Sequence, residues 1–198
     1  FYALLGTNEA TKALKRLLII IKKQADVKWP AIAKKTKKRY NILVLNNNFM
    51  LYLASDHAGF QLKKYLEKYF ANQSKTDYKD LGPESYVETD DFPDFAIPLA
   101  QKVVAEEDAK GILICGSGHG MCIAANKVKG ARAIVGYSIE GAKSGRQHND
   151  ANILCLASRV LTEDHAAAIV KKFLETEFDG DQRLIRRNKK IEALEKSL

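Results

Sequence analysis

Three groups of residues in this chain combine types and spacing that could carry chemistry. The densest is Cys115-Gly116-Ser117-Gly118-His119-Gly120-Met121, which follows the run Gly111–Ile114. A strand that ends in a cysteine and opens into a glycine-rich turn before a helix sets a thiol beside backbone N–H groups able to converge on an anion. Such surroundings favour a thiolate, the form that takes a proton. The competing reading is a small, inert packing cysteine. No Gly-Lys-Ser or Gly-Lys-Thr follows, so the turn is not a nucleoside-triphosphate loop. Its alternating glycines also miss the dinucleotide pattern G-x-G-x-x-G. The second group is Ser55-Asp56-His57-Ala58-Gly59. Asp56 could simply cap the helix that follows. With His57 it could also orient a sugar hydroxyl, hold a phosphate or move a proton. The third group is Arg146-Gln147-His148-Asn149-Asp150-Ala151-Asn152. A polar turn bonded to its own backbone explains Asn149 and Asp150, and explains Arg146 and His148 less well. Arg159, Arg183, Arg186 and Arg187 are either surface charges or parts of a phosphate clamp.

The elements around these groups alternate. Short apolar runs occupy Leu51–Ser55, Tyr78–Leu81, Gly111–Cys115, Ala131–Gly136 and Asn152–Leu156. Helical patterns lie between and after them at Phe60–Phe70, Phe95–Glu107, Met121–Val128, Ile139–Arg146 and Glu163–Glu175. That alternation predicts βαβ units and a buried parallel sheet, whose ligand site belongs off the carboxyl ends of the strands. Gln182–Leu198 reads as a final helix with Leu184, Ile185, Ile191 and Leu194 as its apolar set, either solvated on one face or docked on a second subunit. His165 reads as exposed and inert. Cys122 and Cys155 read as packing residues. Without C-x-x-C spacing or a His/acid cluster, no structural zinc is expected.

At 198 residues, 46% hydrophobic and 28% charged, the chain has the composition of a folded protein. The longest apolar run near its start, Leu17–Ile21, is far short of the ~20 residues that cross a bilayer. Three cysteines cannot all pair within one chain, and no cleavable-signal pattern is evident, so a reduced, cytoplasmic setting is expected. The net charge of +8 is unevenly placed: residues 1–49 hold eleven basic and two acidic residues, the remainder 21 and 22. The main body therefore lacks a nucleic-acid footprint.

Taken together, Leu53-Ala-Ser-Asp56-His57-Ala-Gly59, Cys115-Gly-Ser-Gly-His-Gly with Ala124-Ala-Asn-Lys127, and Arg146-Gln-His148-Asn149-Asp150-Ala-Asn152 resemble ribose-5-phosphate isomerase B. That family also contains allose- and galactose-6-phosphate isomerases. The resemblance runs in order from Met50 to about Leu194. It implies a Rossmann-like α/β/α sandwich with a five-stranded parallel sheet and a C-terminal helix. It implies a homodimer or homotetramer, an active site between subunits, and no metal or organic cofactor. It further implies Cys115 as the base of an aldose–ketose isomerisation of ribose 5-phosphate in the non-oxidative pentose phosphate pathway. His148 with Asp56 would open the sugar ring, and Asn149 would hold the nascent oxyanion. The Gly116, Ser117, Gly118, His119 and Gly120 segment would cradle the enediolate, and His57, Arg159, Arg183 and Arg187 the phosphate. Some members carry a glutamate base after the glycine loop; Met121 stands there and cannot take a proton. Leu184 replaces a histidine common after the first arginine of the last cluster, and His119 stands where aliphatic residues are common.

Two other functions compete. A six-carbon sugar phosphate differs by one methylol group, and a non-catalytic sugar-phosphate-binding domain would keep the fold without turnover. The joint presence of Cys115, Asp56 and His148 opposes the second.

Residues 1–49 have no counterpart in the resemblance, and Met50 directly precedes the first strand. They are expected to be a basic N-terminal extension ahead of an isomerase domain at 50–198, read as an upstream-translated or non-native stretch, a targeting peptide, or a solvated, disordered arm that touches a polyanion or membrane weakly. The segment 50–198 is then expected to fold, associate and turn over like the full chain. Removing 1–49 should abolish retention on a polyanion column, a retention that falls steeply with salt.

Overall fold

Strands rich in leucine, isoleucine and alanine, with no polar alternation, must be covered on both faces. The computed structural model describes residues 49–72 and 78–197. Within them lie five strands: β1 (Leu51–Ser55), β2 (Tyr78–Asp80), β3 (Lys110–Cys115), β4 (Ala133–Val135) and β5 (Ile153–Ala157). They alternate with α1 (Phe60–Asn72), α2 (Pro93–Ala105), α3 (His119–Ala125), α4 (Ile139–Asn149) and α5 (Glu163–Glu175), and α6 (Gln182–Ser197) closes the chain's order. The strands pair in the order β2-β1-β3-β5-β4, every pair parallel. This is the expected α/β sandwich. Apart from Phe49, the expected extension lies outside the described residues.

Alternate residues of each strand feed two separate cores. Leu51, Leu53, Ile112, Ile114, Leu154 and Leu156 meet Leu62, Leu66 and Phe70 of α1 and Ile169, Val170 and Phe173 of α5. From the other face Tyr52, Ala54, Leu113, Ile153 and Cys155 meet Ala96, Leu99 and Val103 of α2 and Met121 and Ala125 of α3. Met121 is fully buried, so the position that could have held a base is a core position here. Leu184 is also buried, in the packed face of α6. The helices stop and start on local signals. Ser138 and Thr162 accept the Gly141 and His165 amides as N-caps, and Pro93 sits in the first turn of α2.

Two boundaries differ from the sequence pattern in ways that matter for the site. Helix α3 begins at His119, so His119 and Gly120 are helical and the turn narrows to Gly116–Gly118. Gly118, at φ 77°, makes that abrupt entry. Helix α4 does not end at Arg146. It runs through His148 to Asn149 and is closed by Asp150 at φ 50°. The expected loop there is the last turn of a helix, because Asp150 is fixed from outside: its carboxylate accepts from Arg132 at 2.8 Å and Arg146 at 2.9 Å.

Gly59 lets α1 start against the sheet. A Cβ at this position would collide with the Ile114 carbonyl and lie 2.6 Å from the Ile114 carbonyl carbon, in the backbone of β3. Since backbone cannot step aside, Gly59→Ala is expected to cost at least about 2 kcal/mol as overpacking. Chemical denaturation should show this as a lower midpoint at unchanged slope.

Candidate active site

The chain order creates the site. From β1 the chain crosses to β2 on one side, while from β3 it crosses to β4 at the far edge and returns to β5 between them. The gap between the carboxyl ends of β1 and β3 is therefore a switch point, the preferred crevice of open α/β sheets. Ser55 pairs with Ile114, so Asp56 and Cys115 emerge side by side, and the Asp56 amide donates to the Ile114 carbonyl at 3.2 Å.

Each side chain there has a definite set of partners. Cys115 is 5% exposed, and its Sγ accepts the Gly118 N–H at 3.1 Å. The His119 amide points to Ser117 Oγ at 3.4 Å. The first-turn amides of α3 have no acceptor within the helix, so Gly120 and Met121 N–H remain as donors. Gly120 itself is small for another reason: a Cβ would sit 3.1 Å from the Phe92 ring. At Gly116 a Cβ would lie 3.1 Å from the Arg159 guanidinium carbon, so the glycine lets that cation lie on the backbone. Arg159 N–H also donates to the Gly116 carbonyl at 3.1 Å. Ser158 ties three loops together, its hydroxyl reaching the Ala58 carbonyl at 2.7 Å and the Cys115 carbonyl at 3.1 Å.

Asp56 is 6% exposed and does cap the helix, Oδ1 accepting the Gly59 amide at 2.9 Å. Burial raises its pKa above the usual aspartate value, while the Gly59 bond and the neighbouring His57 oppose that rise. His57 Nδ1 lies 2.7 Å from Asp90 Oδ1, and that hydrogen bond raises the histidine pKa. His119, in contrast, leans outward on Tyr137, whose hydroxyl donates to the Ser117 carbonyl at 3.0 Å and lies 3.2 Å from His119 Nε2.

The remaining candidates sit at the other end of the sheet. His148 and Asn149 close α4 just before β5 begins, whereas Cys115 is level with Ala157 at the far end of β5. A five-residue strand spans about 16 Å, so one chain cannot bring His148 to Cys115. The α5–α6 connection is on the same side as His148, with the Asp179 amide on the Gln147 carbonyl at 3.1 Å. Arg183 and Arg187, on the first turns of α6, therefore lie at that end too, and both are exposed. So are His148 and Asn149. Arg146 is not available to a ligand. It is 8% exposed and bonds the Ala151 carbonyl at 2.6 Å and the Thr176 carbonyl at 3.2 Å. A cleft of about 490 Å³ opens at this edge between Lys110, Arg132, Asp150 and Glu195. Among the described residues its lining holds no cysteine, serine, threonine or histidine, and it is remote from Cys115.

Cys155 is fully buried and burial pushes its thiol pKa up, as suits a packing residue. Cys122 donates to the Ala133 carbonyl at 3.3 Å. Among the described residues no group of three or more His, Cys, Asp or Glu is placed to hold a metal ion, and no helix is long and apolar enough to cross a membrane. The sequence reading missed Asp90, Ser158 and Tyr137. Asp90 lies 33 residues from His57, so no local pattern announced it.

A doubly wound parallel sheet with a thiol, a carboxylate, an imidazole and free amides at its switch point defines an α/β enzyme of small anionic substrates. The chain belongs to the Ribose/Galactose Isomerase family, whose model matches residues 51–191. It is 44% identical over 133 residues to the probable ribose-5-phosphate isomerase B of Mycoplasma pneumoniae, covering 67% of this chain and 87% of that one. It is 42% identical over 137 residues to ribose-5-phosphate isomerase B of Mycolicibacterium paratuberculosis, covering 69% and 86%. Among solved structures it resembles ribose-5-phosphate isomerase B from Mycoplasma genitalium with bound ribulose-5-phosphate. That match has a TM-score of 0.72 at 43% identity and covers 76% of this chain and 99% of the other.

The burial of Asp56 makes a pH prediction. Its folded pKa lies above the unfolded value, so the folded state binds the extra proton, and stability falls as pH rises from the ordinary aspartate pKa through the folded one. Asn can still cap through its carbonyl oxygen. Asp56→Asn is therefore expected to raise the melting temperature at pH 7 and to flatten its fall as pH rises above the ordinary aspartate pKa, as thermal melts would record.

Proposed function

We infer that the chain is an aldose–ketose isomerase interconverting ribose 5-phosphate and ribulose 5-phosphate, serving the non-oxidative pentose phosphate pathway in the cytoplasm. Its catalytic domain is residues 50–198. The observation that carries the mechanism is the pairing of a strand-end thiol, Cys115, with free helix amides and a buried carboxylate at one switch point. Cys115 removes the proton from carbon 2 of the open-chain aldose, leaving an enediolate, and returns it to carbon 1, while the proton of the carbon-2 hydroxyl passes to the carbon-1 oxygen. The enediolate oxygens need donors already in place. Gly120 and Met121 N–H and the Ser117 hydroxyl supply them.

Ring opening needs a proton taken from the anomeric hydroxyl and one delivered to the ring oxygen. Asp56 supplies one partner of that exchange and His148 the other, with Asn149 on the developing oxyanion. Because His148, Asn149, Arg183 and Arg187 lie at the opposite end of the sheet, they act on the Cys115 edge of a second copy. Arg159 and His57 of the first copy complete the phosphate cradle. A two-fold dimer with two equivalent shared sites satisfies this geometry.

The test is complementation. Cys115→Ala and His148→Ala homodimers should each lose at least ~100-fold in kcat, the ordinary value of one acid–base group. Subunits mixed under exchange conditions should regain about a quarter of wild-type activity, because half the dimers are hybrids and each hybrid has one intact site. A mixture that stays dead would show that the two residues never share a site. Running the assay with allose and galactose 6-phosphates beside ribose 5-phosphate fixes the substrate length.

A further inference from the structure

The segment between β2 and α2 delivers one carboxylate to the site edge, and its geometry is not that of a helix cap. The N-cap of α2 is Phe92, with no side-chain cap bond. Asp90 instead spends Oδ1 twice on one residue: it accepts the His57 amide at 2.9 Å and His57 Nδ1–H at 2.7 Å. The carboxylate is 8% exposed, and Oδ2 is buried with no partner among the described residues. The delivering segment is itself anchored. Lys63 of α1, fully buried, holds Asp80 at 2.6 Å and the Pro83 carbonyl at 2.7 Å. The Tyr86 ring then stands edge-on to His57, 6.5 Å between centroids.

We propose that Asp90 is a positioning residue of the isomerase reaction, locking the His57 imidazole through Nδ1 so that Nε2 is the nitrogen offered to the sugar's phosphate. This rests on the isomerase reading above. The carboxylate fixes the tautomer and the ring plane, as a partner on one ring nitrogen does for the other. It also supplies charge. A desolvated carboxylate whose side-chain partner is one imidazole favours that imidazole as a cation. The groups facing His57 are Asp90 from the β2–α2 segment, Asp56 from the end of β1, and the Tyr86 ring; the two carboxylates both act to raise the histidine pKa. His57 thus stays charged to higher pH than an isolated histidine, and phosphate binding is lost only as pH rises through that raised value.

The experiment follows His57 directly by nitrogen-15 NMR titration of the full chain, in wild type, Asp90→Asn and Asp90→Glu. The Asn variant is expected to titrate about one pH unit lower, and the Glu variant close to wild type. KM for ribose 5-phosphate in Asp90→Asn should begin its rise about one unit earlier in pH, with kcat changed less than KM. In a His57→Gln background, Asp90→Asn should add nothing further. An unshifted His57 titration in the Asn variant overturns the proposal. So does a fall in kcat at unmoved KM, or a full additional loss in the His57→Gln background. The titration, and its upward shift on adding inorganic phosphate, need no turnover. They therefore stand apart from the isomerase reading, which fails on its own if the wild type makes no ketose.

Discussion

The parallel pairing of β1 with β3 is the constraint from which the site follows. Register in that ladder puts Ser55 against Ile114, so Asp56, the first residue beyond β1, and Cys115, the last of β3, lie side by side where the strands end. Because the next connections diverge, toward β2 on one side and β4 on the other, no strand fills the space above them. Gly59 keeps α1 tight against that ladder, and the Ser158 hydroxyl bridges the carbonyls of Ala58 and Cys115. A site built this way owes its precision to backbone hydrogen bonds in the middle of a buried sheet, where local opening is costly.

The opposite edge is rigid for a different reason. Arg146 and Arg132 converge on Asp150, whose left-handed backbone ends α4 in place. Asn152 accepts the Arg132 amide at 2.8 Å and donates to the Gly130 carbonyl at 3.0 Å. The motif Arg146–Asn152 therefore divides its labour. Arg146, Asp150 and Asn152 build a frame, and His148 and Asn149 are the two residues that frame presents to solvent. Under the isomerase reading, the frame's task is to hold an imidazole in position for another copy's thiol. Such positioning matters because small displacements of reacting groups have large effects on rate.

Electrostatics at the site separate two carboxylates 34 residues apart in sequence. Asp56 is desolvated, and burial raises its pKa above the usual aspartate value. Asp90 faces His57 and serves as its counter-charge. Departures from the family's common pattern are absorbed by packing. Met121 fills the core between sheet and α3, Leu184 lies in the packed face of α6, and His119 turns onto Tyr137 at the turn's outer side.

Much of this was legible in the residues themselves. Short apolar runs alternating with helical segments of ten to fifteen residues point to βαβ units, so the parallel sheet followed from pattern. The cysteine at a strand end before three glycines marked the reactive edge, since glycine and thiol chemistry are both local properties. Sequence also marked His148 as unlike a simple turn residue. It misjudged the end of α4 because Asp150 stops that helix with help from Arg132, eighteen residues away. It could not show that Gly120 also has a packing reason to lack a side chain, the Phe92 ring 3.1 Å from where a Cβ would sit. It passed over Asp90 because a carboxylate before a helix looks like a cap until the fold shows where its oxygens point. Tertiary structure alone placed His148 and Cys115 at opposite ends of the sheet, since α4 closes just before β5 begins while Cys115 pairs with Ala157 at the far end of β5. Periodicity and local propensity act over a few residues. Which edge of a sheet a residue reaches depends on the direction of every crossover before it.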